Sequence, residues 1–141
     1  MKKRRFGAGR WNGYGGKVLQ GESIEKSLVR EMEEEAGIKL EKFEKVGILE
    51  FRLEEACEEI VVHLYKADKF SGEPRETEEM VPKWFNVNEI PFKNMWPTDV
   101  YWMPLLLKGK KFKGRIILDK ASDTNYTSKV LSKKLEEVEN L

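Results

Sequence analysis

Glutamates fill four of the five positions from residue 31 to residue 35, within the segment REMEEEAG. On a helix, Glu31 and Glu35 would lie one turn apart on the same side. Like charges at that spacing destabilise a helix by roughly 0.2–0.5 kcal/mol per pair, and the helix dipole disfavours anions in the last turn. Crowded carboxylates also raise one another's pKa values unless a cation relieves the repulsion.

A divalent cation site explains this cluster better than a solvated acidic face does. A solvated face normally intersperses lysine with glutamate, whereas here one sign of charge is packed into the last turn of the helix. Magnesium takes hard oxygen ligands and commonly bridges protein carboxylates to substrate phosphates. The sequence therefore predicts a Mg²⁺ site at the end of a helix.

A helix from Ile24 to Ala36 would position these carboxylates. Ser23 is suited to cap its N-terminus, and Gly37 is suited to end it. An apolar residue recurs at every fourth position of this segment, which favours a helix that packs on a sheet. The acidic residues are then left to the other faces.

The other predicted elements alternate between strands and helices, which is typical of an α/β protein. A glycine-rich loop over residues 6–16 leads into a short strand near residues 15–19. Segments rich in β-branched and aromatic residues predict further strands. These strands cover residues 43–53, 59–67, 83–87 and 112–118, and further helices cover residues 98–108 and 129–139. No repeat or change in composition marks a second domain, so residues 1–141 are expected to form one domain.

Composition limits the classes of function. The chain has 141 residues, with 26 lysines and arginines against 25 acidic residues, for a net charge of +1. Proteins that bind nucleic acids or membranes usually carry a basic excess, so we expect no stable nucleic-acid partner and no membrane association. The N-terminus lacks the apolar stretch of a secretory signal. The expected location is the cytosol, with the nucleus and the mitochondrion left open, and the expected state is a monomer.

The residues around the glutamate cluster resemble the Nudix family. From Gly16 to Ile38 the chain reads glycine, five residues, glutamate, seven residues, arginine, glutamate, an apolar residue, any residue, two glutamates, any residue, glycine and an apolar residue. This order reproduces the Nudix box in full, and so many fixed positions make the signal specific. The resemblance implies an α/β/α sandwich with a mixed sheet and a catalytic strand–loop–helix motif. It also implies hydrolysis of a nucleoside diphosphate linked to another group.

The resemblance also implies roles for the residues of the box. Glu31, Glu34 and Glu35 would hold Mg²⁺. Arg30 would orient these carboxylates by ion pairing, and Gly15 or Gly16 would offer a backbone carbonyl to the metal.

Two segments outside the box, GAGRWNGYGGKV and EEMVPKWFNVNEIPFKNMWPTDVYWMPLLL, resemble the MutT-type oxidised purine nucleoside triphosphatases of animals. By that resemblance Glu79 would be a further metal ligand or would orient the attacking water. The substrate would be contacted by Lys2, Asn12, Phe51, Trp96, Thr98, Asp99 and Trp102. Aromatic side chains suit a purine because stacking on one contributes roughly 1–3 kcal/mol per base. The core is the alternative for the aromatic residues, and a turn before Gly13 is the alternative for Asn12. Trp11 and Trp84 are expected in the core.

The chain departs from these relatives in two places. The animal enzymes carry two adjacent aspartates where this chain has Thr98 and Asp99. A threonine hydroxyl carries no charge, so we expect weaker discrimination in favour of 8-oxoguanine. The relatives also have an apolar strand ahead of the segment that begins here at Met1, and we expect that strand to be missing from this sheet. Its loss would leave backbone groups unpaired, which predicts low stability or poor activity.

The predicted reaction is metal-assisted hydrolysis of a phosphoanhydride. Mg²⁺ would neutralise the triphosphate and activate a water, and the attack would release pyrophosphate and a nucleoside monophosphate. The residue that takes the proton from the water is open among Glu35, Glu34 and Glu79. Oxidised purine triphosphates of the 8-oxo-dGTP and 2-oxo-dATP type are the leading substrates. The alternatives are another modified nucleotide and an inactive nucleotide-binding form.

Overall fold

The computed structural model describes residues 1–3, 9–121 and 128–141. In chain order its helices and strands are α1 (Ile24–Ala36), β1 (Lys39–Leu53), β2 (Glu58–Ser71), α2 (Asp99–Leu107), β3 (Lys111–Leu118) and β4 (Val130–Val138). The chain divides into two compact units, one of residues 1–43 and 67–96, the other of residues 44–66 and 97–141. The four-stranded mixed sheet and the two α-helices confirm the predicted α/β class. Two predicted features lie partly outside the described residues. They are the glycine-rich loop, at residues 6–8, and the basic N-terminus, at residues 4–5.

Helix α1, in the first unit, begins and ends at the predicted residues. The hydroxyl of Ser23 accepts a hydrogen bond from the N–H of Lys26 at 3.1 Å. Gly37 adopts a left-handed conformation (φ 69°), and its N–H donates to the carbonyl of Glu33 at 3.0 Å. The apolar side of the helix packs on a core cluster of Ala36, Ile38 and Leu40, with Leu28, Val29 and Met32 against it. Both caps thus satisfy main-chain groups that a helix end leaves unpaired.

Residues 15–19 form no strand, so that prediction is wrong and the motif is a loop followed by a helix. Main-chain groups of this loop bond to charged side chains instead of a neighbouring strand. These bonds join Gly15 N–H to Glu35 Oε2 at 3.0 Å, Leu19 N–H to Glu22 Oε1 at 3.1 Å, and Arg30 Nη2 to the carbonyl of Lys17 at 3.2 Å. The backbone is therefore held by side chains of α1 and of the residues just before it.

The predicted strand at residues 83–87 is also absent from this described part of the chain. Pro82 lacks an N–H, and the carbonyl of Asn86 accepts the N–H of Glu89 at 2.8 Å in a turn. Only residues 83–85 lie between Pro82 and this turn, and that stretch is too short for the predicted strand. Trp84 was expected in the core, but it is 78% exposed and stacks on Phe70 with ring centroids 6.4 Å apart.

The strands follow the order β2-β1-β3-β4 in one sheet. β1 runs parallel to β3, with Gly47 opposite Phe112 and Leu53 opposite Leu118, and β3 is antiparallel to β4. Predicted strands 43–53, 59–67 and 112–118 correspond to β1, β2 and β3. In the second unit, Ile116 is fully buried in a cluster with Leu53 and Leu118.

The last segment is strand β4, so the helix predicted for residues 129–139 is wrong. Its apolar residues are too sparse to separate a helical period from an alternating one, and pairing with β3 decides the outcome. In this pairing Leu135 lies opposite Gly114. A Cβ on Gly114 would overlap the Leu135 side chain, so the glycine gives that side chain room to lie across the sheet.

Helix α2 covers nearly all of the predicted span. Thr98 stands at its N-cap position, and its side chain makes no capping hydrogen bond. The rings of Trp102 and Phe112 stack with centroids 6.3 Å apart, within the second unit. No helix in the described ranges is long and apolar enough to cross a membrane.

Gly47 is a position in β1 where a side chain has no room. A Cβ there would lie 2.6 Å from Phe112 Cζ and 2.7 Å from Cε2, and the Phe112 ring is fully buried. We predict that Gly47→Ala lowers the free energy of unfolding by about 1–3 kcal/mol because the core would be overpacked. Urea unfolding followed by circular dichroism measures this. Gly13→Ala is the matched control, since a Cβ at Gly13 meets no atom within 4 Å. Equal losses in the two variants would contradict the prediction.

Candidate functional site

The Arg30 guanidinium, on α1, pairs with three glutamates. Its Nε lies 2.8 Å from Glu22 Oε2, and its Nη1 lies 2.9 Å from Glu31 Oε1 and 3.2 Å from Glu34 Oε2. Nη2 also donates to Glu22 Oε1 at 3.1 Å, which makes that pair bidentate. The hydrogen bond to Glu22 is the main cause that raises the pKa of Arg30, and the hydrogen bond and charge of Glu31 raise it further. One cation therefore offsets much of the repulsion among the helical glutamates.

Glu22 is a functional residue for which the sequence reasoning gave no role. It holds Arg30 through two hydrogen bonds and also accepts the N–H of Leu19. The hydrogen bond to Arg30 is the main reason that the pKa of Glu22 falls from 4.5 to about 2. The available signal was its fixed place eight residues before Arg30 in the motif. Eight residues would span just over two turns of a helix. Because Glu22 lies before the helix begins, this spacing alone did not indicate a contact between Glu22 and Arg30.

The carboxylate of Glu31 lies against the main chain of Gly16. A Cβ added at Gly16 would overlap Glu31 Oε1 and would stand 2.9 Å from Oε2. Any larger residue would therefore displace the Glu31 side chain. Glycine is required at position 16 because the Glu31 carboxylate approaches the main chain there so closely. This contact explains why the motif begins with glycine.

Glu35 has a different environment from the glutamates that pair with Arg30. It is only 9% exposed, and its Oε2 accepts the N–H of Gly15 at 3.0 Å. Burial raises the pKa of Glu35, and the nearby charges of Glu31 and Glu79 raise it further, while the Gly15 N–H and Lys2 lower it. Three carboxylates and one lysine thus act on each other at this end of α1.

The segment that carries Glu79 is fixed by main-chain hydrogen bonds within the first unit. The carbonyl of Glu79 accepts the N–H of Lys3 at 2.9 Å, and Lys2 forms an antiparallel bridge with Met80. Lys2 is half-buried there. The N-terminal residues therefore hold Glu79 near the end of the helix.

The donor set suits a hard divalent cation in its chemistry, because carboxylate oxygens are the ligands that Mg²⁺ prefers. Within the described ranges, however, no three acidic, histidine or cysteine side chains converge as a ready metal group. Glu31 and Glu34 face Arg30, and Glu35 faces the N–H of Gly15. The carbonyl of Gly15 stays a predicted ligand, and the hydrogen bond to Glu35 is made by the N–H of the same residue. The residues fit the ion, and binding it requires these side chains to exchange their present partners.

The predicted substrate residues fall into both units, and each unit is described by itself. Lys2, Asn12 and Trp96 belong to the first unit, where Asn12 and Trp96 are half-buried. Phe51, Thr98, Asp99 and Trp102 belong to the second. In the second unit Trp102 Nε1 donates to Asp99 Oδ1 at 3.2 Å, and Thr98 and Asp99 are each 6% exposed. Phe51 packs beside the cluster of Leu53, Ile116 and Leu118.

Comparisons with known proteins give the site a context. Residues 1–106 match the family model described as the NUDIX domain. The chain is 52% identical over 114 residues to a Mus musculus protein named oxidized purine nucleoside triphosphate hydrolase, covering 81% of this chain and 73% of the mouse protein. It is 43% identical over 141 residues to the Danio rerio protein of the same name, covering 100% of this chain and 86% of that one.

A solved structure also resembles the fold. The crystal structure of a MutT protein from Bacillus halodurans superposes with a TM-score of 0.72 at 24% identity, covering 91% of this chain and 83% of that one. At this identity the likeness concerns the fold alone. The mixed sheet and helices described above are therefore an arrangement that MutT proteins also adopt.

The ion pair between Glu22 and Arg30 gives stability a pH dependence. Because the folded state lowers the pKa of Glu22, its contribution is present above pH 4.5 and is lost as the pH falls towards about 2. We predict that Glu22→Gln lowers the Tm at pH 7 and that the difference from the parent protein shrinks over this range. Differential scanning calorimetry across pH measures it. Glu33→Gln, at an exposed position of the same helix, is the control and should show a smaller difference. A Glu22→Gln difference that does not change with pH would refute the prediction.

Proposed function

The chain belongs to the Nudix family of hydrolases, and from this premise we propose that it hydrolyses oxidised purine nucleoside triphosphates, of the 8-oxo-dGTP and 2-oxo-dATP type, to a monophosphate and pyrophosphate. The names of the mouse and zebrafish relatives support the substrate class. The proposed role is to remove damaged nucleotides from the pool before they enter DNA.

One observation carries the proposal: a buried carboxylate, Glu35, at the end of α1 and under the influence of Glu31 and Glu79. Repulsion among these groups costs the folded protein stability, so the arrangement favours a ligand that brings positive charge. A magnesium complex of a nucleoside triphosphate would be such a ligand, because Mg²⁺ prefers the oxygen ligands that carboxylates and phosphates supply. A solvated acidic face would not bury one of its members.

Mg²⁺ would be held by Glu31, Glu34, Glu35, Glu79 and the carbonyl of Gly15. When bound, the metal supplies charge neutralisation for the phosphates and lowers the pKa of a coordinated water. Arg30 limits the directions in which Glu31 and Glu34 point. Gly16 leaves the space that the Glu31 carboxylate occupies. These contacts restrict the side chains before they exchange partners to bind the ion, which would lower the cost of ordering them.

Glu35 is the strongest candidate for the group that takes the proton from the attacking water. Burial raises its pKa, so its carboxylate is a better base than an exposed one. Glu34 is a weaker candidate, because its carboxylate is 59% exposed and paired with Arg30. Glu79 remains an alternative, since its charge acts on Glu35 from the neighbouring segment. The N–H of Gly15 orients Glu35 through Oε2.

The base would be recognised by stacking and by hydrogen bonds at its edge. Trp96, half-buried, offers an aromatic face, and Asn12 offers an amide that donates and accepts. Asp99 would accept from N–H groups of the base, and the Trp102 indole N–H donates to one of its oxygens. Lys2 would lie near the substrate. The polar groups determine orientation, while the aromatic ones contribute affinity.

The reaction can be tested with purified protein and a panel of nucleotides. We expect turnover of 8-oxo-dGTP and 2-oxo-dATP in the presence of Mg²⁺, with release of pyrophosphate and the monophosphate, and no turnover in EDTA. We predict that Glu35→Gln lowers kcat by roughly 10²–10⁴-fold, the usual contribution of a general base, while nucleotide binding is retained. Pyrophosphate release measures kcat, and fluorescence titration measures binding.

Glu33→Gln is the matched control, because Glu33 lies two residues from Glu35 but is exposed. It should keep the kcat of the parent protein. If Glu35→Gln also keeps it, Glu35 has no catalytic role. If canonical and oxidised nucleotides are hydrolysed equally well, the proposed substrate class is wrong, whereas preference for another modified nucleotide would move the chain to a different Nudix activity.

The residue at position 98 is expected to affect which purine base the protein prefers. Thr98 is buried next to Asp99, and its hydroxyl replaces a carboxyl that the animal enzymes resembled here carry. We predict that Thr98→Asp raises kcat/KM for 8-oxo-dGTP by roughly tenfold, because one charge-assisted hydrogen bond is gained. Steady-state kinetics measure the ratio. Thr98→Asn is the control, since it has nearly the same shape as aspartate without its acid. An equal gain with asparagine, or no gain with aspartate, would sink the explanation.

A further inference from the structure

The hydroxyl of Thr77 joins the segment that carries Glu79 to the turn of α1 that carries Glu35. It donates to the main-chain carbonyl of Glu35 at 2.9 Å. It also accepts the N–H of Glu79 at 3.2 Å and the N–H of Met80 at 3.3 Å. A hydroxyl has one donor and two acceptor sites, so these three bonds use its full capacity.

Other main-chain bonds strengthen the same junction. The N–H of Thr77 donates to the carbonyl of Met80 at 3.0 Å, which closes a turn around Glu79. The N–H of Arg75 donates to the carbonyl of Ala36 at 3.0 Å, next to the carbonyl that Thr77 binds. Two of the carbonyls left unpaired at the end of the helix are thus satisfied by this one segment.

Glu79 is consequently held through both of its main-chain groups. Its N–H bonds to Thr77, and its carbonyl accepts from Lys3. Of these partners, Thr77 is the one whose side chain also contacts the main chain of Glu35. A shift of the Thr77 hydroxyl would therefore change the spacing of two of the carboxylates that the proposed reaction needs.

We propose that Thr77 is a positioning residue, which sets the distance between Glu79 and Glu35 through its hydroxyl. The inference rests on the proposed function for its effect on turnover, but not for its effect on structure. Thr77 does not touch substrate or metal in this role. It acts by keeping two carboxylates at a fixed separation, and small misplacements of catalytic groups cost large factors in rate.

Two substitutions separate the hydroxyl from the shape of the side chain. Thr77→Val keeps the volume and removes the hydroxyl, and Thr77→Ser keeps the hydroxyl and removes a methyl group. Ser23→Ala is the matched control, because it removes a hydroxyl that accepts a main-chain N–H at the opposite end of the same helix. It weakens α1 without touching the segment of Glu79.

Hydrogen exchange in the absence of metal is the first measurement. Thr77→Val should raise the exchange rates of the Glu79 and Met80 amides by roughly tenfold, as the loss of one hydrogen bond predicts. Thr77→Ser and Ser23→Ala should leave both rates near those of the parent protein. Unchanged rates in Thr77→Val would overturn the inference, and this holds whether or not the protein turns over any nucleotide.

Steady-state kinetics on the nucleotide that the parent protein hydrolyses is the second measurement. Thr77→Val should lower kcat by roughly 10–100-fold with little change in KM, and Thr77→Ser should restore it. A loss in Thr77→Ser as large as in Thr77→Val would overturn the inference, as would an equal loss in Ser23→Ala. If the parent protein hydrolyses no nucleotide, the proposed function fails, while the exchange result still decides the role of Thr77.

Discussion

The ion pairs of Arg30 are the interaction on which the rest of the site depends. A helix with glutamates at positions 31, 33, 34 and 35 repels itself, and one guanidinium pairs with two of them and with Glu22. Arginine suits this role better than lysine because its planar fork presents five donors that match carboxylates. The same fork reaches the carbonyl of Lys17, so it also orders the loop before the helix. Charge balance and loop structure therefore have one cause.

The carboxylates of α1 fall into two environments, which give them different chemistry. Glu31 and Glu34 pair with Arg30. Glu35 is buried away from that cation, and its pKa is raised. In the proposed reaction the first environment would suit metal binding, and the second would also suit proton transfer. Three residues of the same type thus have different environments within a turn and a half of helix.

Some secondary-structure elements could be predicted from the sequence because local signals determine them. Helix α1 has a hydroxyl cap, an apolar stripe and a terminal glycine, and its bounds agree with the structure. The loop at residues 15–19 could not be read, because its main chain bonds to side chains that follow in α1. Strand β4 could not be read either, since its pairing with β3 comes from the fold. Local propensity is a weak guide wherever partners distant in sequence satisfy the backbone.

The same distinction holds for the site. The spacing of the motif indicated Arg30 and the glutamates, because the chemistry of a cation site is visible in residue types. Glu22 and Thr77 make hydrogen bonds near these residues, and some of the partners are main-chain groups. Main-chain groups are nearly the same in every residue, so the sequence does not show which of them will bond. A sequence motif therefore indicates the candidate reactive residues more readily than it indicates the residues that position them.

The end of α1 concentrates negative potential to a degree that stability alone would not favour. The last turn of α1, all of which the structure describes, contains no basic residue, although lysine or arginine there would offset the negative end of the helix dipole. Three carbonyls of that turn accept from neutral donors, which are the N–H groups of Gly37 and Arg75 and the hydroxyl of Thr77. Positive charge reaches this end of the helix from a neighbouring segment, since a Cβ at Gly37 would overlap the Arg75 side chain at Nε. The helix end is therefore stabilised by main-chain donors and by a cation that is distant in sequence.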